Sequence, residues 1–397
     1  MSTIKKEKAG RFSEPMYEVK LFDEKTGMRA FVVINRRIPL DGRGAGGLRM
    51  SPTVTLDEVC KLAETMTYKH SIMNIPEGGA KAGIVADPRS PNKREILKTF
   101  ARLVAPLIRE QVYGMGVDMG ITYEDLEFIY KEIGTNPFIL AKERLRKRGI
   151  EFNIPEGITY EKIGGKDFGE FITGYGVCES LFEACNFLNI KLSEVEVAIQ
   201  GFGSVGSSAA HYLDKKGIRV IAVADIDGTI YSPKGLKIDA LFKAKDQIGR
   251  IDRGKLDFEY KKLDKDGWLS VGADILIPAA IPNAVNSLNV DKVNAKLIVE
   301  GANIPISIEI EEDLAKKGVT IIPDFVANAG AAAGYLLFWS GQIPLGSDKV
   351  FPEVGRRIKE STIRTLELSK EKKISMREAA KEIAEANYLN LDRFLHV

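Results

Sequence analysis

Val195-Glu196-Val197-Ala198-Ile199-Gln200-Gly201-Phe202-Gly203-Ser204-Val205-Gly206 is a short apolar run that passes directly into a G-x-G-x-x-G turn. The run reads as a buried strand. Ala209, Ala210 and Leu213 then recur at helical spacing, and Gly217 is a stop signal. A second apolar run from Arg219 to Ala224 ends at Asp225, nineteen positions after Gly206. A glycine triplet alone is a weak signal. Set between a strand and a helix, with an acid at that distance, it predicts a dinucleotide-binding unit. The glycines let the backbone meet a pyrophosphate, whose charge is favoured by the helix N-terminus. Asp225 is expected to accept hydrogen bonds from the adenine-side ribose hydroxyls, and no arginine follows it closely in sequence.

Further strands are expected at 274–277, 297–300 and 319–322, each alternating with a helical segment. That alternation gives an α/β fold with a Rossmann-type doubly wound parallel sheet. Pro278-Ala279-Ala280, Gly301-Ala302-Asn303 and Ala327-Asn328-Ala329-Gly330 fall just after strand ends, where ligands sit in such sheets. Asn303 and Asn328 would also serve as ordinary turn residues.

The N-terminal half is organised around Thr67-Tyr68-Lys69-His70-Ser71-Ile72-Met73-Asn74-Ile75-Pro76-Glu77-Gly78-Gly79-Ala80-Lys81-Ala82-Gly83-Ile84. Thr55 and Glu58 have capping-box spacing, and Val59, Leu62 and Met66 form the stripe of the helix that follows. Lys69 falls on that stripe, pointing inward, so it must be paired, snorkel out or meet an anion. Lys81 sits in a glycine run that reads as a loop open to close approach, before a buried strand at 84–86. By themselves both lysines also fit a solvated role. Residues 17–21 and 31–34 read as paired strands and 93–109 as a helix. Asp118 lies between a strand end and a helix capped by Thr122, a place that also suits a plain turn residue.

The wording from Thr67 to Pro88, together with the dinucleotide unit, resembles the amino-acid dehydrogenases of the glutamate, leucine, phenylalanine and valine type, from about residue 17 to the C-terminus. The resemblance implies that Lys81 and Asp118 are catalytic and that Lys69 holds the substrate α-carboxylate. It implies substrate contacts at Ala45, Gly46, Gly47, Met66, Asn328 and Tyr335. Coenzyme contacts are implied at Thr173, Gly201, Phe202, Gly203, Ser204, Val205, Gly206, Asp225, Ala279, Ala280, Asn303 and Asn328. The coenzyme expected is NAD, with NADP possible, because Asp225 and Asp227 place negative charge where a 2′-phosphate would lie.

The expected reaction is reversible oxidative deamination of an L-amino acid to a 2-oxo acid and ammonium. Overall resemblance favours glutamate. However, Ala45 stands where glutamate-type enzymes carry a lysine for the side-chain carboxylate, and Tyr335 stands where they carry a serine. Arg43 and Arg49 are the candidate replacement cations, and an apolar substrate of the leucine, valine or phenylalanine kind is the alternative. A non-catalytic cofactor-binding paralogue is a further alternative; retention of both lysines and Asp118 in register argues against it.

Two domains flanking a cleft are expected: 1–172 for the substrate, with helices 346–397 packing back on it, and 173–345 for the dinucleotide. The net charge of +2 excludes a broad field for nucleic acid or acidic membranes. The basic run at 142–148 reads as a solvated helix face. Cys60, Cys178 and Cys185 are too few and too scattered for a disulfide framework or zinc site, and no metal is expected. With no apolar run of membrane-spanning length and no signal peptide, the reading is a cytoplasmic protein. The family likeness adds a homo-oligomer, with six subunits the expected number.

Overall fold

A computed structural model describes residues 11–37, 42–147, 149, 162–163, 166–343 and 347–391. The chain divides into two compact units. The first comprises Met1–Ile158, Leu336–Ile343 and Ala384–Val397; the second comprises Thr159–Tyr335 and Pro344–Ile383.

In the first unit, β1 (Tyr17–Asp23) and β2 (Met28–Ile34) form the expected hairpin. β3 (Gly44–Ser51), α1 (Leu56–Ile72), β4 (Gly78–Val85), α2 (Lys93–Arg109) and β5 (Tyr113–Val117) follow, then α3 (Tyr123–Ile133) and α4 (Pro137–Lys147). The sheet order is β1-β2-β4-β3-β5, with β3 parallel to both β4 and β5. On α2, Leu97, Phe100, Ala101, Val104, Ala105 and Ile108 repeat with helical period and are all buried. They share one core with Leu48, Met50, Ala80, Ala82 and Ile84 of the sheet. Helix α1 lies against β4 at its glycines: a Cβ on Gly79 would sit 2.2 Å from the Thr67 nitrogen, and one on Gly83 would sit 2.8 Å from Val59 Cγ2.

The glycine run around Lys81 is therefore a central strand rather than the expected loop. Pairing to β2 on one side and β3 on the other holds it extended. The missing side chains are what let α1 approach.

The second unit opens with the short strands β6 (Lys162–Ile163) and β7 (Lys166–Asp167) and with α5 (Phe168–Phe187). It continues through β8 (Glu196–Gln200), α6 (Ser204–Lys215), β9 (Arg219–Asp225), β10 (Gly228–Tyr231), α7 (Ile238–Ala244), β11 (Lys261–Leu263) and β12 (Ile275–Pro278). Next come β13 (Leu297–Val299), α8 (Ile308–Lys316), β14 (Thr320–Ile322), α9 (Asp324–Ala327), α10 (Gly330–Trp339), α11 (Ser347–Lys372) and α12 (Met376–Tyr388). Seven strands are ordered β11-β10-β9-β8-β12-β13-β14. Those from β9 to β14 in that order run parallel, and β10 and β11 are antiparallel additions at the edge. The doubly wound α/β sheet read from the sequence is present.

The C-terminal helices divide differently from the expectation that 346–397 returns to the first domain. The buried face of α11, with Val354, Ile358 and Leu366, is spent inside the second unit. There the Thr362 and Ser180 hydroxyls are 3.0 Å apart, and Gly355 lies under the Tyr175 ring. In the first unit, Asn387 Nδ2 donates to the Ser71 carbonyl at 3.0 Å and the Tyr388 hydroxyl donates to the Arg37 carbonyl at 2.8 Å.

Candidate functional site

The first unit gathers its charged side chains on the glycine-lined face of β3, β4 and β5. Lys81 Nζ is 2.9 Å from Asp118 Oδ2, and Arg49 Nε is 2.8 Å from the same oxygen. Burial would push the Asp118 carboxyl up, but the Lys81 and Arg49 charges hold it well below the usual carboxylate range. Asp118 sits one residue beyond β5, before the Thr122 cap, whose capping box closes with Asp125. At the start of α1, Thr55 caps the Glu58 nitrogen, but the Glu58 carboxylate does not reach back. It binds Arg49 instead, at 2.5 Å.

The floor of this face is backbone. Gly47 faces Gly116 across β3 and β5, and a Cβ on Gly47 would sit 2.8 Å from Asp118 Cβ. A Cβ on Gly116 would meet nothing within 4 Å, so open space lies beside the Lys81–Asp118 pair. A Cβ on Gly46 would lie 3.4 Å from Met66 Cγ and against the Ala80 carbonyl. Ala45 pairs with Gly79 and Gly114. Lys69, near the end of α1, is buried as its place on the stripe requires. The structure thus brings Lys69, Lys81, Asp118, Ala45, Gly46, Gly47 and Met66 into one unit around a shared sheet.

Sequence reasoning named Arg43 as a candidate cation but missed Arg144 and the buried Glu77 that joins them in a cluster at the other end of this face. Arg43 lies over Gly114, where a Cβ would be 2.6 Å from its Nε. Its Nε is 3.0 Å from Glu77 Oε2, and Arg144 Nη2 is 3.4 Å from Glu77 Oε1. Arg144 also donates to the Trp339 carbonyl at 2.8 Å. Arg144 is therefore not on a solvated face: α4 turns it inward to a buried carboxylate that lies far away in sequence. His70 is buried beside this cluster with Nδ1 2.9 Å from the Gly78 carbonyl. Burial, with Lys69 and Arg43 nearby, lowers its pKa to about 4, so it is neutral at pH 7.

In the second unit the glycine turn has the shape a dinucleotide requires. Gly201 has φ +94° and touches Ala280, where a Cβ would be 2.6 Å from the Ala280 methyl. A Cβ on Gly206 would be 2.0 Å from the Gly201 carbonyl oxygen, which fixes how closely α6 enters the turn. Gly203 is the N-cap of α6 and has open space beside it, and Phe202, Ser204 and Val205 complete the turn. A pyrophosphate fits there, at the N-terminus of a twelve-residue helix. Ala279 and Ala280 are tied to Gln200 by hydrogen bonds of 2.8 and 3.1 Å.

Asn328 Nδ2 donates to the Ala302 carbonyl at 2.9 Å and lies 3.3 Å from Asn303 Oδ1, while its own Oδ1 is buried with no hydrogen-bond donor among the described residues. Such an acceptor suits a ligand amide. Thr173 Oγ1 accepts from the Ala331 nitrogen at 3.2 Å, next to the same segment. Tyr335 lies further along α10. The Asn303 turn is set from behind. Ile304 has φ +50°, unusual for a β-branched residue, and its nitrogen donates to Asp324 Oδ2 at 3.0 Å. Arg377 joins Asp324, Glu300 and Glu311, at 3.1, 2.8 and 2.5 Å, in one buried cluster. Burial raises the Glu300 carboxyl well above its usual range despite Arg377.

Asp225 departs from its expected role. Its Oδ1 accepts from Arg253 Nη2 at 2.5 Å and from the Asp227 nitrogen at 2.9 Å. Its Oδ2 accepts from Arg253 Nη1 and from the Ile251 nitrogen at 2.7 Å. An ionised carboxylate has about four acceptor positions, and here four donors occupy it. Only 3% of the side chain is exposed. Arg253 and Arg250 lie more than twenty residues downstream, too far for a sequence reading to pair them with Asp225 and Asp227.

A mononucleotide-type sheet with a glycine turn, alongside a unit carrying a buried lysine–aspartate pair, defines a nucleotide-dependent dehydrogenase. The chain belongs to the Glutamate/Leucine/Phenylalanine/Valine dehydrogenase family: that family model matches residues 164–390, and the model of the Glu/Leu/Phe/Val dehydrogenase dimerisation domain matches 22–135. It is an NAD(P)-dependent amino-acid dehydrogenase. The NADP-specific glutamate dehydrogenase of Saccharolobus shibatae is 36% identical over 299 residues, covering 74% of this chain and 67% of that protein. The catabolic NAD-specific glutamate dehydrogenase of Bacillus subtilis is 32% identical over 347 residues, covering 85% of this chain and 78% of that one. Among solved structures, a hetero-hexameric glutamate dehydrogenase from Thermus thermophilus superposes with a TM-score of 0.77 at 23% identity, covering 96% of this chain and 90% of that one. The L-tryptophan dehydrogenase of Nostoc punctiforme gives 0.65 at 23% identity, covering 95% and 97%. At such identities the likeness is one of fold.

Among the described residues no cluster of three His, Cys, Asp or Glu could hold a metal, and no helix is long and apolar enough to cross a membrane.

Proposed function

We propose that this chain catalyses the reversible oxidative deamination of L-glutamate: glutamate, water and oxidised NAD(P) give 2-oxoglutarate, ammonium, reduced coenzyme and a proton. The observation that carries this reading is the buried Lys81–Asp118 pair beside the open floor at Gly116. Lys69 holds the α-carboxylate. Lys81 removes a proton from the water that adds to the imino carbon, and Asp118 moves protons to and from the nitrogen. The nicotinamide, when bound, accepts the hydride. Gly201 to Gly206, with Thr173, Ala279, Ala280, Asn303 and Asn328, hold the coenzyme. Residues 1–172 would thus serve the amino acid and 173–345 the coenzyme. The enzyme is cytoplasmic and homo-oligomeric, with six subunits; the Thermus structure of the same fold, a hetero-hexamer, supports the number alone.

Arg43 supports glutamate in particular. Ala45 and Gly114 face each other across a parallel ladder, so the guanidinium over Gly114 lies next to the Ala45 methyl. It supplies a cation where a lysine side chain is absent. Arg43 pairs with Glu77 but shares that carboxylate with Arg144, whereas Arg49 alone serves two carboxylates, Asp118 and Glu58, and is the weaker candidate. A second reading, an apolar amino acid, is favoured by Ala45 and Tyr335 themselves. Steady-state comparison of glutamate with leucine, valine and phenylalanine separates the two. A kcat/KM for glutamate about tenfold below any of the others, roughly 1.4 kcal/mol of transition-state binding, removes the glutamate reading.

A further inference from the structure

We propose that Arg250 and Arg253 set coenzyme choice in this chain, Arg253 cancelling the charge of Asp225 and Arg250 receiving a 2′-phosphate, so that NADP(H) is bound about as well as NAD(H). An acid at the end of the second strand ordinarily selects against the phosphate in two ways. It hydrogen-bonds the ribose hydroxyls, and it repels a second anion. Here neither is open to Asp225. Its acceptor positions are filled by Arg253 and two backbone N–H groups, and almost none of its carboxylate reaches solvent.

The next acid, Asp227, is neutralised in turn by Arg250, whose Nε is 2.5 Å from Asp227 Oδ2. Within this quartet the two aspartates and two arginines balance, and Asp246 in the same loop is the one further acid acting on Arg250. Of these four, Arg250 is the most exposed, with 58% of its side chain exposed against 37% for Asp227. Its planar fork of donors suits a phosphate.

The position of the arginine loop ties it to the nucleotide. Asp246 caps the loop by accepting from the Ile248 and Arg250 nitrogens at 3.0 and 2.9 Å. At its tip Gly249 has φ +87°, and a Cβ there would fall 2.5 Å from the Gly203 nitrogen. The loop therefore touches the pyrophosphate turn itself. Ile226 and Ile248, both between Asp225 and Arg253 in sequence, stand exposed, apolar surface of the kind an adenine ring covers. The arginines sit where the ribose of a nucleotide bound at that turn would end.

This inference rests on the coenzyme site assigned above, and equilibrium titration separates the two. The quenching of protein fluorescence, or the emission of the reduced nicotinamide, gives Kd for NADH and NADPH without turnover. A Kd for NADPH within about tenfold of that for NADH is expected. A larger preference for NADH overturns the proposal, and failure of both to bind overturns the site as well. Arg250→Ala, a change at an exposed side chain, should shift the NADPH-to-NADH affinity ratio toward NADH by at least about tenfold, the scale of one charge-assisted hydrogen bond. NADH binding in the same protein serves as the folding control. A ratio unmoved by Arg250→Ala overturns its assignment. Competition by 2′,5′-ADP against 5′-AMP should follow the same shift.

Discussion

Lys81 Nζ and Asp118 Oδ2 are 2.9 Å apart although Lys81 is on β4 and Asp118 just past the end of β5, with β3 running between the two strands. The two side chains can meet across it because the intervening β3 position is Gly47. If Lys81 activates water, Lys81→Ala should slow turnover by at least about 10²-fold. NADH affinity should persist, because the lysine is not in the nucleotide unit. Asp118→Asn should slow turnover to a similar degree. Retention of most activity in either variant would reduce the pair to a structural contact.

The two facing glycines should differ sharply. Gly47→Ala drives a methyl into Val117 and Asp118, at 2.6 and 2.8 Å, and should cost about 1–3 kcal/mol of stability along with most of the activity. Gly116→Ala meets no protein atom. Its melting temperature should stay near that of the parent, while KM for the amino acid rises. Equal losses of stability would show that the space over Gly116 is not free.

Substrate preference should turn on Arg43. Arg43→Met keeps much of the side chain's bulk but removes its charge, and it should lower kcat/KM for glutamate by about tenfold or more relative to leucine. Because Glu77 would keep Arg144 as a partner, the variant should still fold. An unchanged ratio of the two substrates would remove Arg43 from the pocket.

His70 makes a signed prediction about pH. Its pKa is depressed from 6.5 in the unfolded chain to about 4 by burial. The unfolded state therefore takes up a proton first. The stability this site contributes is whole above about pH 6.5, falls on acidification, and levels off below about pH 4. The loss across that window is roughly 3 kcal/mol, at about 1.4 kcal/mol per pH unit. His70→Asn removes the titration, so between pH 7 and 4 the urea midpoint of the parent should fall further than that of the variant. Parallel curves would contradict it.

What the sequence made legible was local. The strand, glycine turn and helix from 195 to 217 are contiguous, and each carries its own signal, so the coenzyme half of the fold could be read directly. The same local logic misread Gly78 to Gly83 as a loop, because nothing nearby announces that β2 and β3 flank it. It misread Arg144 as solvated, since Glu77 is remote in sequence. It left Asp225 free because Arg253 arrives only after β10 and α7. Each miss is a charge or backbone group whose partner comes from a distant segment, and residue type alone carries no trace of that pairing.

The late position of Arg377 bears on how the chain folds as it leaves the ribosome. The second unit sets its Asn303–Ile304 turn through Asp324, and Asp324, Glu300 and Glu311 have Arg377 as their shared cation. Until that residue emerges, three acids destined for burial lack it, and the strand ends they support should stay open. The first unit waits longer still, for Asn387 and Tyr388. Each unit thus needs residues from the last part of the chain, so nascent chains halted before about residue 370 should be protease-sensitive along most of their length, and a chaperone would meet both units unfinished at once.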